Sequence, residues 1–223
     1  METRNINDCI EGSGIMPEDI TRKEMIFDEA TRLFAEKGYK DVTLREVGKA
    51  AGISEPGIYR HYEKKADILD EIIAVFGRKL HGYLLTKEKV DRYIETDTPR
   101  QLLERCIGRF SEEDTLFMVR GYRIVCMEQF KYPAAMKVIK EQVHEETAKS
   151  IRYVLDKLIE RGKIPAFNTW FYSMLWTQSM FSGALIWMSQ YFNGRPLEMS
   201  AVEYNEVAKR LVDLALSGQV PYD

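Results

Sequence analysis

Few side chains in this sequence are spaced to make or break bonds. His144-Glu145 starts like a zinc-protease helix, but the second histidine is missing, and there is no G-x-S-x-G, P-loop or Rossmann fingerprint. Cys9, Cys106 and Cys126 are odd in number and widely separated, with no C-x-x-C, which suits neither a disulfide framework nor a zinc cluster. The residues therefore predict no enzyme, no metal and no cofactor. The chemistry they do space regularly is non-covalent. Two short helical patterns, 44–50 and 55–61, are joined by Ala51-Gly52-Ile53-Ser54. This is a helix-turn-helix spacing, in which the second helix enters the DNA major groove and the first crosses the backbone.

The surrounding elements must hold that pair in place. From Thr21 to about Lys37, Ile26, Ala30, Leu33 and Phe34 recur at helical spacing, and Gly38 supplies a stop. Thr43 and Ser54 are N-cap candidates, and Pro56 sits near a first-turn position that tolerates proline. From about Lys65, Leu69, Ile72, Ile73, Phe76 and Leu80 share one helix face. Further helices are predicted from Thr98-Pro99 to about Phe110, from Ser111 to about Gln129, and from Tyr132-Pro133 to about Arg161-Gly162. Two more cover about 168–192 and 198–217. No alternating strand pattern competes, so the expected fold is all-α.

Composition narrows the setting. The chain has 223 residues, ordinary hydrophobic content, and 32 Lys plus Arg against 35 Asp plus Glu, a net charge of −3. A whole-chain balance of that sign argues against promiscuous nucleic-acid binding. Within 37–65, however, seven basic residues oppose four acidic ones, so the short-helix module is locally positive. Residues 1–17 lack periodicity and read as a mobile arm; with no secretory signal, a reducing cytoplasmic setting is expected. Residues Ile164–Gly194 carry no charge, but recurrent Ser, Thr and Gln argue for burial between protein surfaces and not for a membrane span.

Thr43–Lys65, read as TLREVGKAAGISEPGIYRHYEKK, resembles the N-terminal module of the tetracycline-repressor (TetR) family, whose pattern is T-x-x-x-I-A-x-x-A-G-V-S-x-x-x-[IL]-Y-x-[HY]-F-x-x-K-x-x-L. Ala30, Leu33, Phe34, Gly38, Tyr39 and Val42 match the segment preceding it, and the resemblance spans about 21–80. Three departures stand out. Val47-Gly48 replaces Ile-Ala, costing a methyl group and about 1 kcal/mol of helix propensity. Gly57 removes a side chain from the recognition helix, and Leu69 falls one step late, with Ile68 at the pattern position.

The resemblance implies roles for the module. Thr43 would cap its helix and touch a phosphate. Arg45, Ser54, Glu55, Pro56 and Gly57 would face base edges or the groove wall. Tyr59, His61 and Lys65 would hold phosphates, with Arg60 and Lys64 adding charge.

It also implies a reading domain over 18–65, a connecting helix over 66–80, and a ligand-binding and dimerisation domain over 81–223. The larger domain is rich in Met and aromatic residues, which suits a hydrophobic or aromatic effector; Phe117, Met127, Phe130, Trp170, Met174 and Phe181 are the expected lining. Arg120 and Arg123, three apart on one helix, are expected to pair with Glu112, Glu113, Glu128 or the long charged helix, or else with an anionic ligand, and Gly121 to open space or permit close packing. The expected protein is a homodimeric repressor, paired through helices 168–192 and 198–217, that holds palindromic operator DNA and releases it on binding its effector. The rival expectation is a helical small-molecule-binding protein without operator binding.

Overall fold

The computed structural model describes residues 22–107, 110–195 and 197–219; the N-terminal arm, Thr21 and Cys9 lie outside them. Among the described residues every regular element is helical. Helix α1, Arg22–Lys37, buries Ile26, Ala30, Leu33 and Phe34 and stops at Gly38, whose φ of 93° is the left-handed conformation that glycine adopts without steric cost. Helices α2, Leu44–Ala50, and α3, Glu55–Ile58, follow. Helix α4, Lys65–Tyr83, then runs out of the module into the larger body, burying Leu69, Ile72, Ile73, Phe76 and Leu80 as its spacing predicts.

The middle of the chain departs from expectation. A short helix not foreseen, α5, covers Lys87–Tyr93, and α6 covers only Pro99–Arg105. The predicted continuation to Phe110 fails because the backbone tightens after α6: Cys106 N–H donates to Leu103 and Ile107 N–H to Glu104, at 3.0 and 3.2 Å. Helix α7, Glu112–Glu128, matches the acid-rich start at Ser111, whose hydroxyl accepts from Asp114 N–H.

The predicted long helix after Tyr132 is present but not uniform. It comprises α8, Pro133–Lys137, a π-helical segment, Val138–Glu146, and α9, Thr147–Glu160. The wider turn is reflected in Thr147 Oγ1, which donates to the Gln142 carbonyl five residues back at 3.1 Å. It also lays the Gln142 side chain against Gly77 of α4, where a Cβ would come within 2.1 Å of Oε1.

Helix α10, Thr169–Phe192, and α11, Leu197–Ser217, complete the chain. The core is in two parts. One joins α1–α4 to α7, α8 and the π-helical segment through Phe34, Ile72, Phe76, Val119 and Val125. The other joins α5, α6, α9, α10 and α11 through Leu102, Leu155, Tyr172, Trp176 and Val212. No described helix is long and apolar enough to cross a membrane.

Candidate DNA-reading face and ligand cavity

The turn between α1 and α2 is built by reciprocal capping. Thr43 Oγ1 accepts from Glu46 N–H at 3.2 Å while Glu46 Oε2 accepts from Thr43 N–H at 2.8 Å. These bonds, with Lys37 at 3.2 Å, hold the Glu46 carboxyl down at a pKa of about 2. Gly52 turns the chain at φ 66° into α3.

Gly48 has a steric reason. A Cβ there would lie 2.6 Å from the Ile53 carbonyl oxygen, which the turn brings close while Ile53 N–H donates to Gly48 O at 2.8 Å. The missing methyl, a propensity loss by sequence, is what lets this turn close.

Helix α3 is a single turn, shorter than the predicted 55–61; the chain continues through looser turn bonds, with His61 and Tyr62 N–H both donating to the Ile58 carbonyl. Pro56 occupies its first turn as expected. Ser54, however, does not cap through its side chain: its carbonyl accepts from Gly57 and Ile58, which leaves the hydroxyl exposed. A Cβ on Gly57 would point back at Ile53 Cγ2, 2.8 Å away. Residue 57 thus lends the face a compact backbone and no side-chain reader.

Thr43, Arg45, Ser54, Glu55, Pro56, Tyr59, Arg60, His61 and Lys64 are all exposed on this module. Tyr59 is 52% exposed, whereas Tyr62 is core, and burial raises its hydroxyl pKa. Of the seven local cations, Lys37 is paired with Glu46 and Lys64 lies 3.8 Å from Asp67. Lys40, Arg45, Lys49 and Arg60 are exposed and have no carboxylate partner among the described residues.

Lys65, expected to hold a phosphate, lies at the α1–α2 corner. Its ammonium donates to the carbonyls of Tyr39 and Val42, both at 2.8 Å, and lies 4.2 Å from the Tyr39 ring centroid. Burial lowers its pKa, opposed first by buried Glu128 at the end of α7. Two of its three N–H groups thus tie the α1–α2 corner together.

In the larger body, α4, α6, α7, α9, α10 and α11 enclose a cavity of about 720 Å³. Its deep wall carries Phe76, Met118, Tyr122, Trp176, Met180 and Phe181. Of the six expected lining residues only Phe181 is there. Phe117 stacks on Phe27 of α1 at 5.8 Å, and Met174 is half-buried on α10 away from the cavity wall. Met127 sits beside Gly38, while Phe130 and Trp170 are 87% and 58% exposed. Gly121 packs closely: a Cβ would meet the Phe76 ring at 2.9 Å.

Arg120 does not pair as expected either. It is drawn toward α1, where its charge opposes the upward push that burial gives the Asp28 carboxyl. Arg123 lies 4.1 Å from the Phe192 ring centroid, with its Nε buried and unpartnered. Burial raises the Cys106 thiol to about 12 and Cys126 to about 11, so neither carries thiolate at neutral pH.

Helix α7 thus touches both regions. Met118, Val119 and Tyr122 wall the cavity, while Phe117, Arg120, Met127 and Glu128 meet α1 and the corner after it.

Comparison with known proteins agrees with this anatomy. Residues 26–72 match the family model for bacterial regulatory proteins of the tetR family. The HTH-type transcriptional repressor KstR2 of Rhodococcus jostii is 38% identical over 61 residues, 27% of this chain and 30% of that protein. The chain spans well under half the length of the first curated relatives it matches. Solved structures extend the likeness in fold alone. A TetR-family regulator from Rhodococcus sp. covers 88% of this chain and 99% of its own, with a TM-score of 0.63 at 13% identity. Salmonella enterica GusR covers 90% and 98%, with a TM-score of 0.59 at 15% identity. Residues 26–72 thus carry the helix-turn-helix module of the tetR family, and the helical body is similar in fold to TetR-family regulators.

Proposed function

We propose that this protein is a ligand-responsive transcriptional repressor that binds a palindromic operator as a homodimer and lets go when a hydrophobic small molecule fills its cavity. The observation that carries this reading is the double duty of α7, which walls the cavity with Met118, Val119 and Tyr122 and braces the reading head with Phe117, Met127 and Glu128. A ligand that moves α7 therefore moves the head. The coupling needs only about 1–3 kcal/mol of differential affinity to act as a switch.

In this reading residues 18–65 form the reading domain, 66–80 the connector and 81–223 the sensing and pairing domain, within a cytoplasmic regulator. Arg45, Ser54, Glu55 and Pro56 face bases or the groove wall, with Gly57 allowing close approach. Thr43, Tyr59, Arg60, His61 and Lys64 meet the backbone, and Lys65 positions the corner from which they project, its third N–H aimed at phosphate. Helices α10 and α11 pair two copies: Phe171, Leu175, Leu185 and Ile186 form an exposed, charge-free stripe along α10. Such a face is stable in water only when covered.

Fluorescence anisotropy of a labelled duplex from upstream of the protein's own gene tests the reading. Saturable binding that weakens steeply with salt is expected. No binding at low salt would overturn it and leave a helical small-molecule-binding protein.

A further inference from the structure

The cavity wall points to one class of occupant. Its hydroxyl and thiol hydrogens are already engaged by the protein. Thr115 donates to the Ser111 carbonyl at 2.7 Å, Thr147 to Gln142 at 3.1 Å, Ser150 to Leu85 at 2.8 Å and Tyr122 to Phe181 at 3.2 Å. Tyr83 donates to Asp114 at 2.6 Å, and the Cys106 thiol to the Leu102 carbonyl at 3.6 Å. A polar ligand group taken deep inside would lose water and find none of these hydrogens available, a penalty of the kind that keeps such groups out of apolar sites.

The exposed lining residues are Glu104 and Arg105 closing α6, and Asn205 and Lys209 on α11, two helices that pack together and form the cavity's rim. There the cations stand at the solvent boundary, each with one carboxylate beside it. Arg105 donates through Nε to Asp97 at 2.5 Å and lies 4.1 Å from the Tyr93 ring centroid, and Lys209 pairs with Glu206 at 3.7 Å. The single carboxylate of the rim, Glu104, has Arg100 at 4.0 Å. The rim therefore sets two ion-paired cations, an amide and one carboxylate around an apolar well, and an incoming carboxylate would share Arg105 and Lys209 with Asp97 and Glu206.

From this geometry we infer that the effector is an elongated apolar carboxylic acid. Its hydrocarbon body lies between Phe76, Met118, Trp176, Met180 and Phe181, and its carboxylate is held at the rim by Arg105, Lys209 and Asn205. The inference rests on the cavity being the effector site, and it narrows a hydrophobic effector to an acid bound in one orientation.

Isothermal titration calorimetry on the full-length protein without DNA separates this claim from operator binding. The probes are straight-chain carboxylates of increasing length and the matching primary alcohols. Each added methylene is expected to tighten binding about fourfold until the well is full. Alcohols should bind about tenfold or more weakly than acids of equal length. In the double variant Arg105→Gln, Lys209→Gln, both at exposed positions, that difference should vanish while the dependence on length persists. Ala184→Trp, which fills the well, should abolish binding of both series. Alcohols binding as tightly as acids, or affinity independent of chain length, would overturn the inference whether or not the protein binds DNA.

Discussion

At the scale of single residues, the reading head depends on a few polar groups whose work is structural. Thr43→Ala removes the hydroxyl of the capping box and should destabilise the protein by about 1 kcal/mol, read as a lower midpoint in urea. Glu46 sets an acid limit on the same turn. Its folded pKa lies below the unfolded value, so its contribution is complete above about pH 4.5 and is lost as pH falls toward 2; in Glu46→Gln that part of the acid transition should flatten. Lys65→Ala should lower both stability and DNA affinity, because two charge-assisted bonds to Tyr39 and Val42 disappear, each worth about 1.5–3 kcal/mol. Tyr59→Phe, at an exposed side chain, should weaken DNA binding and leave the urea midpoint unchanged. Gly48→Ala should destabilise despite alanine's better helix propensity, since the new methyl meets the Ile53 carbonyl at 2.6 Å. Thr43, Gly52 and Pro56 were legible in the sequence because caps and turns are local chemistry. The Lys65 bonds to Tyr39 and Val42 span 26 and 23 residues, and no local pattern marks them.

At the scale of elements, legibility follows helix length. Helices α1, α4, α7, α10 and α11 bury enough periodic apolar residues to announce themselves, whereas α5 buries only Val90 and α3 is one turn. The π-helical segment leaves no sequence mark, because its apolar residues satisfy either spacing. The cavity was missed for a related reason. Helix α10 is apolar on nearly every side, so sequence could not tell the Trp176, Met180, Ala184, Trp187 stripe that meets the cavity from Trp170 and Met174 on another face. On α7 the same ambiguity hid Met118 and Tyr122 behind Phe117. Gly121→Ala tests the contact between α4 and α7. It must displace the Phe76 ring, so it should cost about 1–3 kcal/mol and reduce effector binding, measured by chemical denaturation and calorimetry.

At the scale of the whole molecule, two cores meet along the cavity and α10 contributes to both, so in the proposed function a ligand there would change how the two cores sit against each other. In the proposed homodimer α10 and α11 would set the spacing between two heads, and an operator demands half-sites about 34–36 Å apart. Ile186→Asp places a charge on the exposed stripe, where residue 186 is 56% exposed in the isolated chain, and should convert a dimer into a 26.0 kDa monomer in sedimentation equilibrium. Operator affinity should fall with it, because one head alone has Lys40, Arg45, Lys49 and Arg60 as unpaired cations. The acidic total charge is compatible with this account, which relies on symmetry more than on bulk attraction. Footprinting the DNA upstream of the protein's own gene, with and without a saturating long-chain carboxylate, tests the central claim most directly. The account predicts two protected half-sites related by a two-fold axis, about one helical turn apart, and loss of protection when the acid is added. A single unsymmetrical footprint, or protection unchanged by a ligand that calorimetry shows to be bound, would contradict it.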